Sequence, residues 1–464
     1  MKKLLVVLLV IIVAGLAAAG YFFRNRLESD PPQVTLTPAT DSLGLKPIEI
    51  AVADRGSGLK SVVVTLNASG TEHQIAAEEF RQPTTDRKYV VDASKIAGLK
   101  EGAATLRVVA RDNSIRDSFK GNEAVVEQKL TIDITPPTLE LVADDRYVNF
   151  GGVGAIVYKP SADTATSGVK IGERFFPGFK GAVKSKPDNY FVLFAHPYDA
   201  PADARATLVA TDKAGNTREM RLVYELKNVK YKKSTINVSE SFLQNKVAPL
   251  LTDVAKRQGS PKDVFIGVNK GVRKQNEDKI TEVTSKATPQ ILWKGAFTQL
   301  TNSKVEANFA DARTYTYNGE VLDTAYHLGY DLSVTKQYPV EAANSGVVAF
   351  TGDLGLYGNT VIIDHGIGLF TLYGHLSSMN VKAGDPIAGK QVIGKTGETG
   401  FAGGDHLHYG VYLDGVAILP VEWWDAKWIR DNIDPKLEGH SGQEIHEAQQ
   451  PARSRAKPAG KKRR

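Results

Sequence analysis

The chain has 464 residues, 42% hydrophobic and 24% charged, enough for about three or four globular domains. Cysteine is absent, which excludes a disulfide framework and any thiolate metal site, so a metal would have to rest on His, Asp or Glu. The net charge of +6 belongs to the last dozen residues: seven Lys and Arg between Arg453 and Arg464 leave the remainder near −1 (6 − 7), so no nucleic-acid partner is expected.

In chain order, Lys2 and Lys3 precede an apolar or small-residue run from Leu4 to Phe23, closed by Arg24 and Arg26. About 20 such residues cross a bilayer core as a helix. Residues 1–26 therefore read as a transmembrane anchor, the alternative being a signal peptide cleaved near Ala17-Ala18-Ala19. The Tyr21-Phe22-Phe23 end favours the anchor, since aromatic residues gather at membrane interfaces. Either way the rest is expected outside the cytoplasm, in the cell envelope; with the anchor retained, it is expected at the inner membrane with a periplasmic body. The missing cysteines suit an oxidising compartment.

Residues 31–134 and 135–230 read as two copies of one unit. Pro31-Pro32-Gln33-Val34-Thr35-Leu36 returns as Pro136-Pro137-Thr138-Leu139-Glu140-Leu141, Ser57-Gly58-Leu59-Lys60 as Ser167-Gly168-Val169-Lys170, and Ala110-Arg111-Asp112 as Ala210-Thr211-Asp212. The spacing, about 100–110 residues, is that of a small β-sandwich, and strands such as Ser61–Leu66 alternate between turns. The units resemble bacterial immunoglobulin-like modules. They show no chemical constellation in sequence and are expected to space the chain or dock envelope proteins.

From 238 to 286 the period becomes helical: Ser239 is placed to cap a helix through Phe242, Leu243, Val247, Leu250 and Leu251, and Pro261 to start a second through Phe265, Val268 and Ile280. Residues 290–433 read as β-rich, with strands at Val347–Phe350, Asn359–Ile363 and Gly368–Tyr373 and a hairpin turn at Asp364-His365-Gly366, where His365 reads as structural. Glu422-Trp423-Trp424 and Trp428 are expected to clasp this domain, and 438–464 to be a disordered basic tail. The fold class is thus mainly β: a membrane helix, two immunoglobulin-like sandwiches, a short helical connector and a C-terminal antiparallel β domain.

Five of the nine histidines fall between 327 and 408. In Asp405-His406-Leu407-His408-Tyr409 the alternation reads as a strand, with His406 and His408 on one face. Two imidazoles there suit a metal site, or simply a half-exposed surface. In His327-Leu328-Gly329-Tyr330-Asp331 a fully extended chain would hold the His and Asp about 13 Å apart. Shared ligation requires a bend, which Gly329 permits.

Together, His327 with Asp331, Tyr373-Gly374-His375-Leu376-Ser377 and His406-Leu407-His408 resemble the motif set of lysostaphin-type zinc endopeptidases, the duplicated hybrid motif fold. The likeness covers Phe309 to Trp424, and Ala310 stands where a glycine is usual. That family cuts the peptides of bacterial peptidoglycan. The resemblance implies Zn2+ held by His327, Asp331 and His408, with His375 and His406 as the catalytic pair, their individual roles left open. It implies peptidoglycan as substrate. The alternative is a non-catalytic envelope protein that activates a separate cell-wall hydrolase.

Overall fold

The computed structural model describes residues 12–15, 20, 24–115, 120–201 and 203–449. No helix among them is long and apolar enough to cross a membrane. The expected anchor at Leu4–Phe23 lies largely outside the described residues, as does the tail beyond 449.

The chain divides into two compact units. The first comprises Met1–Pro137, Ala162–Ala165 and Thr211–Arg218; the second comprises Thr138–Ser161, Thr166–Ala210 and Glu219–Arg464. In the first, a three-stranded sheet runs Gln33–Thr37, Ile48–Ala53, Asp86–Val91, and a five-stranded sheet runs Ser42–Leu43, Glu123–Ile132, Gly102–Asp112, Leu59–Ala68, Thr71–Thr84. Strict alternation in the sequence sets the inner faces. Ile48, Ile50 and Val52 from one sheet and Val62, Val64 and Leu66 from the other are fully or almost fully buried in one core. This unit also gathers two sets of carboxylates that sequence alone did not reveal. Glu28, Asp54 and Asp112 form one set and Asp133, Asp163 and Asp212 the other, with ligand atoms within 4.8 Å of one another in each. Burial and the neighbouring acids push Asp54 and Asp133 above the usual carboxylate range.

In the second unit, the strands Val153–Pro160 and Tyr190–Ala195 pair antiparallel and are buried almost throughout. Their core is continuous with that of the C-terminal domain. Phe191, Val192 and Phe194 belong to the same apolar cluster as Leu332, Leu369, Leu407 and Trp423.

The C-terminal domain is built on an antiparallel sheet ordered Lys304–Ala307, Tyr330–Ser333, Leu407–Leu413, Leu369–Gly374, Asn359–Gly366, Gly346–Asp353, Pro386–Ile387, with Val416–Ile418 beside Leu407–Leu413. A second sheet of three strands, Lys233–Asn237, Asp311–Tyr317 and Glu320–His327, stands at its edge. Lys233–Asn237 joins it in parallel, Ser234 opposite Arg313. Ala310 has φ +55°, a left-handed conformation that costs a non-glycine residue, which accounts for the usual glycine there.

The connector starts at Ser239, whose hydroxyl accepts the Phe242 N–H, and restarts at Pro261 behind Ser260. Between them the chain breaks into short turns around Pro249. The Asp364-His365-Gly366 segment is strand, not turn. The hairpin turns two residues later at Ile367-Gly368, both with positive φ (45° and 84°), as a two-residue primed turn requires. Gly442–Gln449, expected to be disordered, is helical: Ser441 and Glu444 cap each other and Ile445 is buried.

Candidate metal centre

The junction of the two sheets makes the site. His327 ends the Glu320–His327 strand, paired with Asp311, and the chain then steps through Leu328-Gly329 into Tyr330–Ser333 of the larger sheet. There Asp331 lies opposite His408, and His408 lies opposite Gly374 on its other side. His375 follows Gly374 with φ +60°. The left-handed turn is held by its N–H to the Tyr357 carbonyl, 2.7 Å.

Three ligand atoms converge. His327 Nε2 lies 2.9 Å from Asp331 Oδ1 and 3.0 Å from His408 Nδ1, and His408 Nδ1 lies 3.0 Å from Asp331 Oδ1. Backbone carbonyls set the tautomers: Nδ1–H of His327 donates to Asn308 (2.9 Å), of His375 to Thr399 (2.8 Å) and of His406 to Gly404 (2.8 Å). His327 Nε2 is thus a lone pair facing a carboxylate oxygen and a second imidazole, with at most one proton to share among the three. A divalent cation satisfies all of them at once. Two imidazoles and one carboxylate are a donor set suited to zinc, and three protein ligands leave a fourth position for water.

His375 and His406 stand together beside this triangle, ring centroids 4.8 Å apart, with His375 5.8 Å from His408. Burial alone would raise the Asp331 carboxyl. The imidazoles of His327, His406 and His408 around it hold it well below the usual range instead. Burial, with His406 and His408 close by, pushes His375 well below an ordinary imidazole, and burial takes His408 down to about 4. Burial also works against the His406 cation, but the Asp331 carboxylate outweighs it and raises His406.

All five residues picked from sequence thus line one cavity of about 350 Å³, together with Arg273, Arg313 and Phe401. His365 is elsewhere. Fully buried, it bonds the Ser345 carbonyl and the Thr371 hydroxyl, both 2.7 Å away, and burial lowers it to about 4. Sequence reading missed Asp311 and Arg313. Arg313 Nη2 reaches Asp331 Oδ2 at 3.2 Å. The signal was present: Asp311 and Arg313, two apart on a strand, share a face.

Residues 325–420 match peptidase family M23. This stretch is an M23 domain. A DD-carboxypeptidase/endopeptidase from Neisseria meningitidis serogroup B, Mpg, is 42% identical over 95 residues, covering 20% of this chain and 22% of that protein. The peptidoglycan DD-endopeptidase ShyA of Vibrio cholerae is 36% identical over 112 residues, covering 24% and 25%. The chain therefore matches about a quarter or less of the length of these relatives. The catalytic domain of lysostaphin from Staphylococcus simulans is 28% identical, with a TM-score of 0.24, over 28% of this chain and 98% of that one. The M23 match contains all five site residues, but Asp311, Arg313 and the connector lie before it.

Proposed function

We propose that this protein is a zinc-dependent endopeptidase that hydrolyses peptide bonds of bacterial peptidoglycan, in stem or cross-link peptides, during cell-wall remodelling. The observation that carries this reading is the convergence of His327 Nε2, Asp331 Oδ1 and His408 Nδ1 within 3.0 Å of one another beside the His375–His406 pair. The names of the M23 relatives support the substrate class.

His327, Asp331 and His408 would hold the ion. When bound, zinc polarises the scissile carbonyl and brings the pKa of its water down to about 7. The chain's own residues do the rest. His375, its Nδ1–H tied to the Thr399 carbonyl, presents the Nε2 lone pair that takes a proton from the attacking water and returns it to the leaving amine. His406 Nε2 lies 3.5 Å from Asp331 Oδ1, which favours a proton on that nitrogen and makes it the donor to the developing oxyanion. Water's oxygen bonds to the carbonyl carbon, the C–N bond breaks, and the amine leaves protonated. In the same reading the body is exported and held at the inner membrane by residues 4–23, and the two repeats dock envelope partners.

The test is muropeptide release from purified sacculi by the zinc-loaded full chain, beside His408→Ala. Cross-linked muropeptides that fall to monomers only with the intact site are the expected result, and product masses name the bond. Intact sacculi in the presence of stoichiometrically bound zinc would overturn the enzymatic reading in favour of an activator of another hydrolase.

A further inference from the structure

Asp331 uses its two oxygens differently. Oδ1 faces the imidazoles of His327, His408 and His406 at 2.9, 3.0 and 3.5 Å, whereas Oδ2 accepts from Arg313 Nη2 at 3.2 Å. Arg313 is itself held. Its Nε lies 3.6 Å from Asp311 Oδ2, and Asp311, only 3% exposed, accepts the Ser234 hydroxyl on both carboxylate oxygens at 2.8 Å. The relay Ser234–Asp311–Arg313–Asp331 crosses from the Lys233–Asn237 strand through Asp311–Tyr317 to a metal ligand, along the parallel register that sets Ser234 opposite Arg313. Every member except Asp331 lies before the stretch that matches the M23 family.

We infer that Arg313 is a positioning residue that reserves Asp331 Oδ2 and so makes this carboxylate a one-oxygen ligand, and that Ser234 and Asp311 complete the metal centre from outside the M23 domain. The inference rests on the proposed zinc site. A carboxylate free to turn offers a metal both oxygens, and the second would join as a fifth ligand atom that crowds the bound water. A guanidinium on Oδ2 prevents this through a charge-assisted bond to the oxygen that the site does not use. Lysine supplies the charge but not the planar fork, so it replaces arginine incompletely. The strand Lys233–Asn237 therefore belongs to the catalytic unit, although it precedes the connector.

The experiment uses the full chain and two readouts besides turnover: Zn2+ affinity by chelator competition, and the visible absorption of the Co2+-loaded protein, whose intensity reports coordination number. Arg313→Gln is expected to weaken zinc by roughly 10–100-fold. It should also dim the Co2+ band as a fourth protein ligand atom joins, and lower kcat with KM little changed. Arg313→Lys should recover part of the affinity, and Ser234→Ala should shift both readouts the same way by a smaller factor. Arg313→Gln and Ser234→Ala proteins that keep wild-type melting temperatures, zinc affinity and Co2+ spectra would overturn the inference. Should Arg313→Gln unfold, Ser234→Ala and Arg313→Lys decide it by the same readouts. Wild-type protein that binds zinc without cutting sacculi, while Arg313→Gln loses the metal, would sink the peptidase reading and leave this one standing.

Discussion

At the scale of single residues, Gly329 shows how a motif residue earns its place by room rather than by turning. The sequence suggested that it bends the chain between His327 and Asp331, yet it is not among the residues with positive φ. A methyl group there would stand 2.6 Å from His408 Nε2 and 2.6 Å from the Tyr409 carbonyl oxygen, closer than packed atoms approach. Gly329→Ala is therefore expected to push His408 off its position and weaken zinc by at least about 10-fold. The protein should melt within a few degrees of wild type, which isothermal metal titration and calorimetry would check. Unchanged affinity would show that the ring has room to shift. Residue chemistry was the most legible layer: the strand alternation of His406 and His408, and the separation of His365 from the site, could be read directly. The orientation of the His375 and His406 rings could not, because it depends on which carbonyl each Nδ1–H meets. Those carbonyls, Thr399 and Gly404, carry no side-chain signature.

At the scale of elements, the helical connector is a wall of the cavity rather than a tether. Phe242 and Phe265 meet Phe401 at ring-centroid distances of 5.1 and 6.0 Å, and Lys246 donates to the Glu398 carbonyl at 2.6 Å, so the connector is fastened to the loop that also carries Thr399. Phe401→Ala is expected to cost about 2–3 kcal/mol, less than for a fully buried ring because Phe401 is half-buried. It should also lower turnover by loosening the Thr399 carbonyl that orients His375. Denaturant titration read beside kcat tests both, and a stability loss with unaltered kcat would uncouple the wall from the chemistry. The helix starts were legible from Ser239 and Pro261. The strand Lys233–Asn237 was not, since Lys-Ser-Thr-Ile-Asn buries no residue fully and its partner lies more than seventy residues ahead.

At the scale of the molecule, the repeated motifs did not reveal that residues near 190 share a core with the C-terminal domain. Tyr190–Ala195 reads Tyr-Phe-Val-Leu-Phe-Ala, without the alternation of a half-exposed strand, and such a run marks a strand covered on both faces. The second repeat and the C-terminal domain share one apolar cluster as a result. Glu422 bonds across that same region: its carboxylate takes Asn149 Nδ2 at 2.7 Å and the Val153 N–H at 2.9 Å, and burial pushes it from 4.5 up to about 8. An acid raised on folding stabilises fully below its unfolded pKa and loses that contribution as pH climbs through the folded value. Glu422 should thus withdraw roughly 5 kcal/mol between pH 4.5 and 8. Glu422→Gln, with the Asn149 amide flipped to accept, should melt higher than wild type at pH 8.5 and close to it at pH 5. Parallel melting curves across that range would refute the assignment.

The step from His327 in one sheet to Asp331 and His408 in another has a thermodynamic meaning. An ion held by all three is bonded across the sheet junction, so folding and metal loading become one linked equilibrium. At a free zinc concentration one hundred times Kd, the linkage adds about 2.7 kcal/mol to the folded state. Stripping the metal with a chelator should lower the melting temperature by several degrees and expose the junction to proteases. The availability of zinc would then govern how long the protein survives as well as how fast it works.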